Sequence, residues 1–146
     1  LQKVEDIGAR PSGVSIIATR GGKLLLLREF RMGVNREIYN LCAGMLEAGE
    51  TIEECITREL YEETGLQVKS IRKILPPSFA AVAISDMTTY IAFVEATGTI
   101  ADHTSDNEQI AAAFYTRDEV MALLEAESFS SRAQLASYFF SEGLME

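Results

Sequence analysis

Short apolar runs with a period of two alternate along this chain with stretches of helical rhythm, and the switches between them predict the order of elements. Val14 to Arg20 and Lys23 to Phe30 read as two strands joined at Gly21-Gly22, a hairpin signal. The unbroken run Leu24 to Leu27 predicts a strand buried on both faces. A helix is predicted over Ile52 to Thr64, started by a capping box of Thr51 with Glu54 and ended by Gly65 in the left-handed conformation. Gln67 to Leu75 reads as a strand broken by Pro76-Pro77, Ser78 to Asp86 as a small-residue loop, and Thr88 to Ala96 as a central strand closed by Gly98. Ile110 to Tyr115 forms another strand. Thr116 with Glu119 caps a helix through Val120, Leu123 and Leu124. A last amphipathic helix runs from about Ser131 to Phe140, with Leu135, Tyr138 and Phe139 at helical spacing expected in the core. Residues 1–13, with Gly8, Pro11 and Gly13, show no period and are expected to form an arm. The chain begins with Leu1 rather than Met, which leaves room for N-terminal sequence that is absent or removed. Residues 1–146 are expected to form one domain, without repeats or linkers.

The middle helix carries the chemistry. Between Glu50 and Glu63 there are six glutamates and one arginine. On a helical wheel its inward face holds Ile52, Cys55 and Ile56, and then Glu59 and Glu63, with Glu62 at the edge. Glu53, Glu54, Thr57 and Tyr61 fall on the far side. Glu59 and Glu63 form an i,i+4 pair of like charge at the margin of a core, which calls for a cation. Hard carboxylate oxygens on a rigid element suit Mg²⁺, with Mn²⁺ as the other candidate, and both ions also take up phosphates. Arg58, at the edge of the same face, is placed to pair with Glu50 and lock the preceding loop onto the helix.

A net charge of −9 argues against a nucleic-acid scaffold, because phosphate backbones are held by clustered Lys and Arg. An anionic substrate would then need metal ions and a few local arginines. Arg28, Arg31 and Arg36, upstream of the acidic helix, are the candidates for binding it. Tyr39 in the same segment reads as core. Cys42 and Cys55 sit in apolar surroundings and read as buried thiols of a reduced, cytoplasmic protein. No signal peptide is recognisable in the chain as given, and no apolar run is long enough to span a bilayer, so no membrane partner is expected.

The spacing G-x5-E-x7-R-E-U-x-E-E-x-G-U, with U aliphatic, is matched by Gly44, Glu50, Arg58, Glu59, Leu60, Glu62, Glu63, Gly65 and Leu66. It resembles the Nudix box of the Nudix hydrolases. LLLREFR and YNLCAG upstream look like the L-L-x-x-Q-Y-R and E-L-P-A-G segments of the ADP-ribose pyrophosphatase branch. Glu29, Asn40 and Cys42 stand where that branch has Gln, Glu and Pro. Pro76-Pro77 arrive several positions before the branch's downstream proline. In the polar stretch Thr99 to Gln109, Asp106, Asn107, Glu108 and Ile110 resemble the branch's D/E-x-E-x-I pattern, whose acid activates water. His103 in the same stretch is left out of the site.

The resemblance implies an α+β fold, a Nudix-type α/β/α sandwich around a mixed sheet. It implies an enzyme, a Mg²⁺-dependent pyrophosphatase that hydrolyses ADP-ribose or a related nucleoside diphosphate sugar to two phosphomonoesters. Glu59, Glu62 and Glu63 would be metal ligands with the Ala43 carbonyl, Asp106 or Glu108 would serve as general base, and Gly44, Glu50, Arg58 and Gly65 would be structural. Commonly the branch is dimeric, so a homodimer is expected, with a small-molecule partner and no nucleic acid. The competing readings are a house-cleaning nucleoside triphosphate pyrophosphatase and a nucleotide-sugar sensor without turnover.

Overall fold

A computed structural model describes residues 12–101 and 110–145. The elements run β1 (Ser12–Arg20), β2 (Lys23–Arg31), β3 (Arg36–Asn40), β4 (Cys42–Met45), α1 (Ile52–Thr64), β5 (Gln67–Ile74), β6 (Ser78–Phe79), β7 (Thr88–Thr97), β8 (Ile110–Tyr115), α2 (Arg117–Ala126) and α3 (Ser131–Ser141). Positive φ at Gly21 (57°) and Gly22 (76°) supplies the two-residue turn that joins β1 to β2. Ser12 and Gly13, expected in the N-terminal arm, are the first residues of β1 and pair with Thr88 and Thr89. The rest of that arm, residues 1–11, lies outside the described residues. Within the expected Ser78–Asp86 loop, Ser78 and Phe79 bond to β7 as a two-residue strand.

The sheet is mixed. β1 runs parallel to β7, while its other pairings are antiparallel. β1 and β2 pair beside their turn, through Thr19–Leu24 and Arg20–Lys23, and beyond it they part. The β3–β4 run fills the gap: it pairs with β2 through Arg36–Asn40 and, after a break at Leu41, with β1 through Cys42–Met45. The segment just ahead of the acidic helix therefore crosses from one half of the sheet to the other.

Both faces are covered, as the Leu24–Leu27 run requires. Leu25 and Leu27 pack with Cys55, Ile56 and Leu60 of α1, whereas Leu24 and Leu26 pack with Val120 of α2 and with Ala133, Ala136 and Phe140 of α3. Each of the four leucines is fully buried, worth ~2 kcal/mol apiece relative to exposure. Tyr39 is core, stacked on Phe129 at 5.4 Å and edge-on to Tyr115 at 6.1 Å. These layers make the α+β sandwich.

One helix face differs from expectation. Leu135, Tyr138 and Phe139 are 57%, 51% and 42% exposed, and α3 instead buries Ala133, Ala136, Ser137, Phe140 and Ser141. Small residues let α3 lie close to α2 and the sheet, so the larger side chains point outward. None of the described helices is long and apolar enough to cross a membrane.

Candidate active site

Helix α1 begins where Thr51 accepts from the Glu54 amide at 3.1 Å and Glu54 returns the bond to the Thr51 amide at 2.9 Å. It ends at Gly65, φ 80°, whose amide donates to the Tyr61 carbonyl. Cys55, Ile56, Leu60 and Thr64 are its buried stripe. The buried stripe is rotated by part of a turn from the face the wheel predicts: Glu59 and Glu63 lie half-buried at the margin of the apolar stripe, and the Glu62 side chain is 57% exposed.

Two neighbours of β4 hold the marginal glutamates. Glu63 Oε1 accepts from the Ala43 amide at 3.1 Å and faces the Cys42 thiol at 3.6 Å. The Glu59 carboxylate lies against Gly44 so closely that a Cβ there would overlap it. Gly44 is thus glycine for clearance. Burial pushes the Glu63 carboxyl up to about 7 despite the Ala43 hydrogen bond, with the Glu59 charge adding to the rise. Burial also raises Glu59, outweighing the opposing Arg58 guanidinium. Cys42 and Cys55 are free, buried thiols, raised by burial, Cys55 to about 12.

Arg58 ties the arrangement together. Its Nε and Nη2 donate to the two oxygens of Glu50 at 2.7 and 3.0 Å, Nη2 donates to the Met45 carbonyl at 3.0 Å, and Nη1 donates to Glu59 at 2.9 Å and Glu62 at 3.1 Å. The loop before α1 is thereby clamped to the helix. Those hydrogen bonds hold the Glu50 carboxyl down at about 2 and raise Arg58 further.

Among the described residues no group of three or more His, Cys, Asp or Glu side chains is assembled in metal-holding geometry. Glu59 and Glu62 instead share the Arg58 guanidinium. The donor set nonetheless fits a hard divalent cation: carboxylate oxygens one helical turn apart, with a backbone strand beside them and both carboxyls raised by burial.

The three arginines separate. Strand alternation puts Arg28 on the α2–α3 face with Leu24 and Leu26, away from the glutamates of α1, and it pairs with Glu37 at 3.2 Å. Arg31 lies on the α1 face, 3.5 Å from Glu29, and Arg36 donates to Ser128 Oγ at 3.3 Å. Asp106, Glu108 and His103 lie outside the described residues. Sequence reasoning gave no role to Glu29, a buried carboxylate on the α1 face that accepts from Asn40 Nδ2 at 3.0 Å. The signal for it was present in the two departures from the branch pattern, at positions 29 and 40. A cavity of ≈ 330 Å³ between the Gly21-Gly22 turn, Arg72, Arg117 and Phe140 holds none of the α1 glutamates.

The NUDIX domain model matches residues 9–137. The NAD-capped RNA hydrolase NudC of Vibrio parahaemolyticus is 47% identical over 57 residues, 39% of this chain and 22% of that protein. NudC of Mycobacterium tuberculosis strain H37Rv is 35% identical over 105 residues, 66% of this chain and 30% of that protein. The chain therefore spans less than a third of the length of these relatives. A crystal structure of an ADP compounds hydrolase covers 92% of this chain and 72% of its own with a TM-score of 0.74 at 22% identity, a likeness of fold. With a complete box on α1, a matching sandwich and a family model over most of its length, the chain belongs to the Nudix hydrolase family.

Proposed function

We propose that this domain is a Mg²⁺-dependent pyrophosphatase that hydrolyses the diphosphate linkage of ADP-ribose or a related nucleoside diphosphate derivative, releasing two phosphomonoesters. The observation that carries this reading is the pair Glu59 and Glu63, half-buried against Gly44 and Ala43, with elevated proton affinities that a divalent cation would relieve. Glu59, Glu62 and Glu63 would hold the ion with the Ala43 carbonyl. When bound, it supplies charge neutralisation for phosphorus-centred displacement and a more acidic water. The chain's own contribution is positional: Arg58 and Glu50 fix the loop, and Gly44 leaves room for Glu59. Asp106 or Glu108 is assigned the proton-accepting role. Arg31, on the α1 face, is assigned to the substrate's phosphates; Arg36, bonded to Ser128 between α2 and α3, and Arg28, on the other face, are the weaker candidates.

A panel of ADP-ribose, UDP- and GDP-sugars, NADH, NAD-capped RNA and nucleoside triphosphates, incubated with Mg²⁺ and with products identified, tests this. AMP and ribose 5-phosphate from ADP-ribose support it. Preference for NAD-capped RNA, the substrate in the name of the NudC relatives, or for NADH would move the substrate to the dinucleotide class. Pyrophosphate release from triphosphates would favour a house-cleaning enzyme, and binding without turnover a sensor. We further assign the domain to a homodimer acting on small molecules in the cytoplasm.

A further inference from the structure

Glu29 is the carboxylate that the mechanism above leaves unused. It lies on the α1 face of β2, between Ile38 of β3 and Ile110 of β8, and its side chain is 11% exposed. A charge this enclosed needs fixed donors. Asn40 Nδ2 supplies one at 3.0 Å and Arg31 Nη1 a longer one at 3.5 Å, both to Oε1. The Asn40 amide cannot turn round, because its Oδ1 accepts from Ser130 Oγ at 2.7 Å and from the Leu41 amide at 2.9 Å. Residues from β2, β3 and the start of α3 thus hold one carboxylate in one orientation.

The same strand run reaches the box glutamates. Asn40 and Cys42 share the α1 face, one i,i+2 step or roughly 7 Å apart. Glu29 is bonded to the first, and Glu63 faces the second at 3.6 Å. Glu29 therefore stands one strand step from the position that faces Glu63, on the face where a diphosphate held by Glu59 and Glu63 would lie.

We propose that Glu29, held by Asn40, is a specificity-determining residue that accepts hydrogen bonds from the hydroxyls of a sugar next to the diphosphate and repels a third phosphate at the same place. A fixed anion favours an uncharged polyol and disfavours a polyphosphate chain. This rests on the diphosphate-hydrolase reading above. It selects nucleoside diphosphate sugars over nucleoside triphosphates without any difference at the glutamates of α1.

The test compares wild type with Glu29→Gln, which keeps an acceptor for Asn40 and removes the charge. Calorimetric titration with the α,β-methylene analogues of ADP-ribose and of ATP, in Mg²⁺, reads binding without turnover. The sugar analogue should bind about tenfold more weakly to the variant, the loss expected for a charge-assisted hydrogen bond, and the ATP analogue should bind equally or more tightly. With hydrolysable ADP-ribose, KM should rise more than kcat falls. Equal shifts for both analogues, no shift, or a fall in kcat alone overturns the proposal, as does failure of wild type to prefer the sugar analogue. Glu63→Gln, assayed alongside, tests the reading beneath it: retained turnover there removes the metal-site assignment, while the Glu29→Gln binding ratio still decides this one.

Discussion

Burial and like charge act together on Glu63, and they set how the domain responds to pH. Its carboxyl titrates near 7 in the folded chain against an ordinary 4.5, so the folded state holds the proton more tightly. The stability gained from that proton is full below about 4.5 and is lost as pH rises through 7, on the order of 3 kcal/mol in all. Glu59, also raised, adds to the same trend. Glu50 works the other way, but its contribution is lost only as pH falls from about 4.5 toward 2. Thermal melts of metal-free protein should therefore show Tm falling between pH 5 and 7. Mg²⁺ should raise Tm increasingly over the same interval, and Glu63→Gln should flatten the slope while cutting turnover by at least a hundredfold. Gly44→Ala should displace the Glu59 carboxylate and lower kcat by roughly 10–100-fold. Tm should move little, since the displaced group is the end of a flexible side chain. The sequence made Glu59 and Glu63 legible through their one-turn spacing. It could not show that Glu29 meets Asn40, because that contact depends on the register of β2 against β3.

At the scale of elements, local chemistry decided which boundaries could be read. Helix α1 begins and ends where Thr51, Glu54 and Gly65 place it, because capping is settled within four residues. Thr51→Ala should cost about 1 kcal/mol, seen as a lower denaturant midpoint with unchanged m-value. Helix α3 went the other way. Its spacing shows that Leu135, Tyr138 and Phe139 share a side, yet nothing in the spacing says which side a neighbour covers, and Ala133, Ala136 and Ser137 look unremarkable as core. Phe140→Ala should cost ~3–4 kcal/mol, whereas Leu135→Ser should stay within about 0.5 kcal/mol. Chemical denaturation of the two variants separates the faces. The break at Leu41, where the chain leaves β2 for β1, carries no turn residue and was invisible for the same reason: only the partner strand changes.

For the whole molecule, assembly is the first property to measure. Light scattering should return twice the chain mass of 16.1 kDa, and a monomer mass would refute the homodimer. The parallel pairing of β1 with β7 has a consequence in time rather than in space. Ser12 meets Thr88, so the apolar strand Val14–Ala18 emerges from synthesis long before the partner that completes it. The β1–β2 hairpin closes early around Gly21-Gly22, while one edge of β1 waits for residues more than seventy positions downstream. Such non-local closure is slow and exposes an unpaired edge in the interval. The nascent chain is therefore most vulnerable to aggregation between the release of β1 and the release of β7, a window that slower translation lengthens and a chaperone would have to cover.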